Sequence, residues 1–282
     1  MDLGFLPFAT RAPVVAVMRL AGVVSPAPQP FRGALNLAGM AGLIERACTL
    51  RGVRALALQV NSPGGSAVQS TLIAKRIRAV AMEHDLPVFA FIEDVAASGG
   101  YWLACAANEI YADRASVVGS IGVVSAGFGF AEALDKLGIE RRLHAQGRRK
   151  AMLDPFRPED PEDVARLVTI QRGIHQAFKD HVRDRRGKRL KGDDEALFSG
   201  DVWTGEEALA LGLVDGLGDL RTVMRDRFGE RVQLRVVGPA RGWLRRRFGI
   251  LRPAPVWPDP GELMLGALAA LEERALWTRF GL

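Results

Sequence analysis

The residues best suited to chemistry lie around Ser98, in the stretch FIEDVAASGGYWLACAA. The serine hydroxyl is surrounded by residues with almost no side chain, namely Ala96, Ala97, Gly99 and Gly100. One interpretation is a tight turn from a strand into a helix, in which Ser98 is an ordinary helix N-cap. The other is a nucleophile, whose small neighbours let a substrate carbonyl approach closely. Taken alone, these residues leave both interpretations open.

A second glycine-rich stretch, NSPGGS, follows an apolar run and contains Pro63, Gly64 and Gly65. Proline pre-sets a turn, and the two glycines permit positive φ and leave backbone N–H groups uncovered. The stretch is either a β-turn into a helix or a source of donors for a carbonyl oxygen that acquires charge. A phosphate-binding loop is a weaker interpretation, because neither GxxxxGK[ST] nor GxGxxG is present. If Ser98 is a nucleophile, the N–H groups of Gly65 and Gly99 are the candidate oxyanion hole.

A serine nucleophile needs a base, and the four histidines are poorly placed for that role. His84, His144, His175 and His181 lie in helix-like or strand-like sequence, so we expect surface or packing residues. The hydrolase elbow G-x-S-x-G is also not met, since alanine takes the first glycine position.

Lysine is the other candidate base, and Lys150 ends the segment GRRK in a loop after a predicted strand. Arg148 and Arg149 beside it, and the apolar residues that follow, would favour the neutral amine. From these residues alone, a solvated surface charge is the plainer interpretation.

The elements that must position these residues alternate between strand and helix. Apolar runs at 13–20, 53–60 and 86–93 predict buried strands, and the segments 36–50 and 65–84 predict helices between them. Further on, the patterns predict helices at 98–107, 158–186 and 263–277, and strands at 109–112, 140–144 and 232–237. Alternation of this kind indicates a mostly parallel sheet, whose carboxyl edge carries both glycine-rich loops.

Composition bounds the class of protein. The chain has 282 residues, 48% hydrophobic and 25% charged, which is typical of a globular protein with a sizeable core. Cys48 and Cys105 cannot form a disulfide framework or a zinc cluster, so we expect core residues in a reducing compartment. No apolar run reaches the roughly 18 residues that span a bilayer, and no signal peptide is evident.

The net charge of +6 is concentrated in three basic runs, at 141–150, 179–191 and 241–252. The last run interleaves cations with large apolar residues, a composition that suits an anionic membrane surface. A solvated basic face is the plainer interpretation of all three.

Six stretches, in order along residues 13–225, together resemble the signal peptide peptidase A family of serine peptidases. They are VAVMRLAGVV, LQVNSPGGS, DVAASGGYWLACAANEIYAD, VVGSIGVV, GRRKAMLDPF and WTGEEALALGLVDGLGD. The resemblance implies an α/β, ClpP/crotonase-like fold with a mostly parallel sheet flanked by helices. It divides the chain into an N-terminal extension without a membrane anchor (1–12), a peptidase domain (13–238) and a basic, Pro-containing linker with an apolar C-terminal helix (239–282).

The resemblance also implies site residues. Ser98 would be the nucleophile, Lys150 the general acid/base, and Ser120 the residue that hydrogen-bonds the lysine. Gly65 and Gly99 would donate their N–H groups to the oxyanion, and neither a metal nor a cofactor would take part. The expected activity is that of an endopeptidase acting on signal-peptide remnants and other apolar or unfolded peptides.

The resemblance further implies a homo-oligomeric ring or dome, with sites shared between protomers and no nucleic acid bound. Because family members often carry an N-terminal anchor that is not seen here, the sequence favours a cytoplasmic location. Peripheral contact with the inner membrane stays open.

Two alternatives belong to other functional classes. A crotonase-like acyl-CoA enzyme would share the fold, but it needs a carboxylate pair facing the pocket, for which only Glu93 and Asp94 are available. A non-catalytic membrane or nucleic-acid adaptor is suggested by the basic C-terminal segment, residues 239–282.

Overall fold

The computed structural model describes residues 12–26, 35–238, 271 and 274–281. The predicted N-terminal extension and the linker of 239–282 therefore lie almost wholly outside the described residues, as does the basic run at 241–252. Within the described part, no helix is both long and apolar enough to cross a membrane.

Between residues 12 and 238 the described architecture has eight strands and eight α-helices, and residues 274–278 near the C-terminus are also helical. In chain order they are β1 (Val14–Ala21), α1 (Leu37–Cys48), β2 (Val53–Ser62), α2 (Ala67–Glu83), β3 (Val88–Ala97), α3 (Gly99–Ala104), β4 (Glu109–Ala112), β5 (Val117–Gly119), α4 (Ala131–Lys136), α5 (Pro161–Arg186), α6 (Asp194–Leu197), β6 (Val202–Thr204), α7 (Gly205–Ala210), β7 (Gly216–Leu217), α8 (Leu220–Phe228) and β8 (Gln233–Val236).

The strands form one sheet in the order β6-β5-β3-β2-β1-β8, with β4 joining β3 to β7. All pairs are parallel except β5 with β6. Strand β3 changes partner along its length, since residues 89–92 pair with β4 and residues 95–97 pair with β5. The C-terminal end of β3 therefore forms a separate short ladder with β5, and Ser98 is the first residue after β3.

Apolar residues cover both faces of the sheet, as a parallel sheet requires. In β1, Val15 and Val17 pack with Met224 of α8, whereas the alternate residues Met18 and Leu20 join the larger core under the other helices. The predicted α/β architecture, a mostly parallel sheet flanked by helices, is confirmed. Cys48 and Cys105 are free and buried, as expected.

Most predicted elements are present, and their ends differ by a few residues. The strand predicted at 140–144 is wrong, because residues 139–145 form no ladder and are exposed. These residues belong to a segment, residues 123–160, that stands out from the sheet and contains only the short helix α4. We call this segment the arm. The stretch ERRLH has a single apolar residue and no alternation, and no neighbouring strand offers it hydrogen bonds.

The basic run at 179–191 is largely structural. Arg185 donates hydrogen bonds to the carbonyl oxygens of Cys105 and Ala107, both 2.8 Å long. Arg186, whose side chain is 1% exposed, makes a two-pronged ion pair with Asp215 at 2.6 and 3.0 Å. Arg185 thus satisfies carbonyl groups at and just after the end of α3, where the helix leaves them without partners, and Arg186 also donates to Gly212 O at 2.9 Å. The run is therefore not simply a solvated basic face.

Candidate active site

Ser98 lies at the turn between β3 and α3 with φ +51° and ψ −120°. Positive φ is uncommon for a residue with a side chain and costs free energy that the surrounding structure must supply. Two backbone hydrogen bonds hold the turn: the Ser98 N–H donates to Gly119 O at 2.8 Å, and its carbonyl accepts from Trp102 N at 3.0 Å. Its side chain makes no N-cap hydrogen bond, so the ordinary N-cap interpretation of Ser98 is wrong.

The two glycine-rich loops pack backbone against backbone beside Ser98. Gly64 has φ +102°, and a Cβ added there would lie 2.7 Å from Gly99 N and 2.8 Å from Ala97 O. A Cβ on Gly99 would lie 2.5 Å from the hydroxyl oxygen of Ser70. Neither position has room for a side chain. Glycine is therefore needed at both positions because the two loops approach each other closely.

The same packing brings two backbone donors together. A Cβ on Gly99 would lie 3.3 Å from Gly65 N, so the two residues are neighbours. Within residues 12–26 and 35–238, the N–H groups of Gly65 and Gly99 donate to no protein acceptor. Two free N–H groups beside a serine hydroxyl are the arrangement that stabilises an oxyanion.

The residues that carry these groups line a cavity of about 630 Å³, within the size range of ligand sites. Its floor includes Gly65, Ser98 and Gly99. Its walls are mostly apolar and include Trp102, Val123, Val124, Ile174 and Phe178. Cavities of this size with mostly apolar walls are typical of sites for apolar ligands.

Ser120 also lines the cavity and, like Ser98, has φ +51°. Its N–H donates to Asp201 O at 2.7 Å, and its carbonyl accepts from Gly122 N at 2.9 Å. Backbone hydrogen bonds at the end of the β5–β6 ladder therefore fix Ser120 in the lining of the cavity that also contains Ser98.

Lys150 is placed differently. It is exposed on the arm and is not among the residues that line the Ser98 cavity. Its neighbours Arg148 and Arg149 both pair with Glu162 near the start of α5, at 3.1 Å. Of the five site residues expected from the sequence, the structure brings four together and leaves Lys150 apart.

The remaining candidates have packing roles. The ring of His175 lies 3.1 Å from Ile121 O, and the ring of His181 stacks on Trp102 with a centroid separation of 5.2 Å. Burial lowers the pKa of His181 to about 4. Glu93 and Asp94 line a different pocket, so they do not supply the carboxylate pair that an acyl-CoA enzyme would need in this cavity.

Two parts of the cavity wall were not predicted. Ile174 and Phe178 come from α5, and their spacing of four residues marks one helix face in the sequence. Leu276, Arg279 and Phe280 come from the described C-terminal residues, and no sequence signal places them at this site.

The fold and the cavity define an α/β protein with a serine at a strand-to-helix turn, beside two N–H groups that have no acceptor in the part of the chain that the structure describes. Solved structures support the fold assignment. The chain superposes on the 1510-N membrane-bound stomatin-specific protease, in a serine-to-alanine mutant, with a TM-score of 0.50 and 15% sequence identity, over 81% of this chain and 99% of that one. This likeness confirms the ClpP/crotonase-like fold.

The sequence model of Peptidase family S49 matches residues 81–232, which include Ser98, Ser120 and Lys150. The chain belongs to peptidase family S49, and its class is that of the serine-type peptidases. The resemblance to the signal peptide peptidase A family is thereby confirmed at the level of the family.

Curated relatives include larger proteins. The chain is 47% identical to the Na(+)/H(+) antiporter NhaA of Brucella abortus over 275 residues, which are 95% of this chain and 37% of that protein. It is 34% identical to the chloroplastic serine protease SPPA of Arabidopsis thaliana, over 73% of this chain and 31% of that protein. It is 30% identical to the putative signal peptide peptidase SppA of Enterococcus faecium, over 60% of this chain and 48% of that protein. The chain thus spans about a third to a half of the length of these relatives.

Proposed function

We propose that the protein is a serine endopeptidase in which Ser98 is the nucleophile and Lys150 the general acid/base. The observation that carries the proposal is the turn at Ser98. It holds a hydroxyl that makes no N-cap hydrogen bond, at a residue with positive φ that lines a cavity. Beside it are the N–H groups of Gly65 and Gly99, which have no acceptor among the described residues. A strained backbone of this kind persists only where the surrounding packing enforces it, and such positions cluster at active sites.

In the proposed mechanism, neutral Lys150 takes the hydroxyl proton of Ser98 as the oxygen attacks a peptide carbonyl. The carbonyl oxygen becomes an oxyanion and accepts hydrogen bonds from Gly65 and Gly99. Lys150 then gives the proton to the leaving amine, which departs as the C–N bond breaks. Water hydrolyses the acyl-enzyme by the same proton transfers in reverse order, and Ser120 orients the lysine amine throughout.

We infer that each site is completed by a second copy of the chain. Lys150 does not line the cavity of its own chain, and the arm that carries it exposes large apolar side chains. Phe128 is 82% exposed, Leu137 71% and Val124 68%. Apolar residues in such number on one exposed segment are typical of a surface that another protein covers. A homo-oligomeric ring or dome would cover the arm and carry Lys150 to the neighbouring cavity.

The apolar walls of the cavity favour apolar peptides, so signal-peptide remnants and unfolded segments are the proposed substrates. The reaction needs neither ATP nor a metal, because serine and lysine supply the nucleophile and the proton transfers. We place the protein in the cytoplasm, in peripheral contact with the inner membrane where such peptides are released.

Labelling with a fluorophosphonate probe, which reacts with activated serines, tests the site. We expect the parent protein to be labelled and to cleave an unfolded apolar polypeptide, and Ser98→Ala and Lys150→Ala to lose both properties. Ser125→Ala and Lys136→Ala, which change exposed residues of the same arm, are the matched controls and should keep them. Labelling of Ser98→Ala at the parent rate would refute the proposed nucleophile.

Mixing the two inactive variants tests the shared site. If serine and lysine come from different chains, a dissociated and reassembled equal mixture contains sites that unite Ser98 of one chain with Lys150 of the other. Random assembly would restore about a quarter of the parent activity, since each residue is intact in half of the chains. A mixture as inactive as either variant, although co-assembly is verified, would place both residues in one chain.

A further inference from the structure

The cavity at Ser98 is bounded on one side by the end of the chain itself. Residues 274–278 are helical, and a turn follows in which Phe280 N–H donates to Trp277 O at 2.9 Å. From this segment, Leu276, Arg279 and Phe280 line the cavity together with Ser98. The space lies between the segment and the glycine-rich loops, so the segment is a wall of the cavity and leaves it open.

Arg279 is the single charged residue among the described residues that line this cavity. Its neighbours in the wall are mainly apolar or have very small side chains. Arg279 is exposed at the rim of these walls, and a guanidinium matches a carboxylate with two parallel hydrogen bonds. The ligand that best complements this cavity is therefore an apolar molecule that carries one carboxylate.

We propose that Arg279 is a specificity-determining residue that binds a carboxylate of the substrate peptide. The proposal rests on the proposed function, in that the cavity is taken as the peptide site. Every peptide released by an earlier proteolytic cut ends in a carboxylate, whereas an internal stretch of an intact protein has none in its backbone. A cation near Ser98 would thus favour short apolar fragments over uncut chains. An Asp or Glu side chain could provide the same group, and the test separates the two sources.

Binding to the full-length Ser98→Ala protein provides the test without requiring cleavage. The probes are an apolar hexapeptide with an N-terminal fluorophore, prepared as the free acid, as the C-terminal amide, and as the amide with Glu at its last position. Fluorescence anisotropy gives Kd for each. We expect the free acid to bind about threefold to tenfold tighter than the amide, which is the range for a charge-assisted hydrogen bond at a partly exposed site.

Two substitutions, each added separately to the Ser98→Ala protein, show whether Arg279 causes the preference for the free acid. Arg279→Gln removes the cation and should abolish the preference for the acid. Arg274→Gln removes an exposed cation of the same segment that does not line the cavity, and it should leave the preference unchanged. The amide that ends in Glu should equal the free acid if any carboxylate suffices. It should bind like the plain amide if the chain terminus is recognised.

Equal binding of acid and amide would overturn the proposal, as would an acid preference that survives Arg279→Gln or disappears equally in Arg274→Gln. The proposed function fails by a different result, namely a parent protein that cleaves no peptide. An acid preference dependent on Arg279 would still support the carboxylate site in that case.

Discussion

The backbone at Ser98 makes a quantitative prediction about stability. With φ +51° and ψ −120°, the residue occupies a region that favours glycine. Such a conformation costs a residue with a side chain on the order of 1–3 kcal/mol. Ser98→Gly removes that cost, while the greater freedom of glycine in the unfolded chain costs about 0.5–1 kcal/mol. The net result is a gain of about 1 kcal/mol for Ser98→Gly. Ser98→Ala keeps the strain and should match the parent.

Denaturation with guanidinium chloride measures the difference in the free energy of unfolding directly. In thermal unfolding, a chain of this size should show a rise in Tm of about 2–4 °C for that gain. Ser125→Gly is the matched control, because Ser125 lies on the exposed arm and is not among the residues with positive φ. It should lose a few tenths of a kcal/mol. Both Ser98 variants should also fail to react with the serine probe. If Ser98→Gly is no more stable than Ser98→Ala, the inference of strain at the nucleophile is wrong.

Three further predictions concern packing and charge. Gly99→Ala should cost about 1–3 kcal/mol of stability, because its Cβ would lie 2.5 Å from Ser70 Oγ, and Ser70→Gly in the same chain should recover part of the loss in a denaturant titration. Burial lowers the pKa of His181 to about 4, so the unfolded state binds the proton first as the pH falls. The free energy of unfolding should therefore fall by on the order of 2 kcal/mol between pH 7 and pH 5, and His181→Gln should reduce this dependence on pH. Asp215→Asn leaves the guanidinium of Arg186 buried without its counter-ion and should cost about 3–5 kcal/mol, whereas Arg186→Met with Asp215→Leu should cost less than either single change.

The sheet could be predicted from the sequence because local pattern and global position agree there. The runs at 53–60 and 86–93 are apolar at most residues, as is typical of strands covered on both faces. Both form central strands of the sheet. Glycine and proline mark the loops that follow them. Since parallel strands end at one edge, the juxtaposition of Gly65 and Ser98 follows from the order of the strands.

The arm could not be predicted in the same way. At 140–144 the sequence is Glu-Arg-Arg-Leu-His, which has no alternation of polar and apolar residues, and the structure leaves these residues exposed and outside the sheet. A stretch without such a pattern carries no information about which element, if any, it will pack against. The sequence motif could name Lys150 but could not place it, because residues 141–150 are exposed and form no helix or strand that would fix them. No sequence pattern indicated that Leu276, Arg279 and Phe280 line the cavity, because these residues reach it only through tertiary packing.

The glycines beside Ser98 also have a different explanation from the one their sequence suggests. Small residues around a nucleophile favour an open approach for the substrate, which predicts that a side chain at Gly99 would reduce activity and spare the fold. In the structure that side chain would meet Ser70, and one at Gly64 would meet the backbone of the Ser98 loop itself. Because the same close packing brings Gly65 N and Gly99 together, the packing that needs glycine would also build the proposed oxyanion site. A side chain at Gly99 should therefore reduce stability and activity together. Loss of activity without loss of stability would contradict this. It would show that the two loops can separate slightly, so that only the hydrogen-bond donors are displaced.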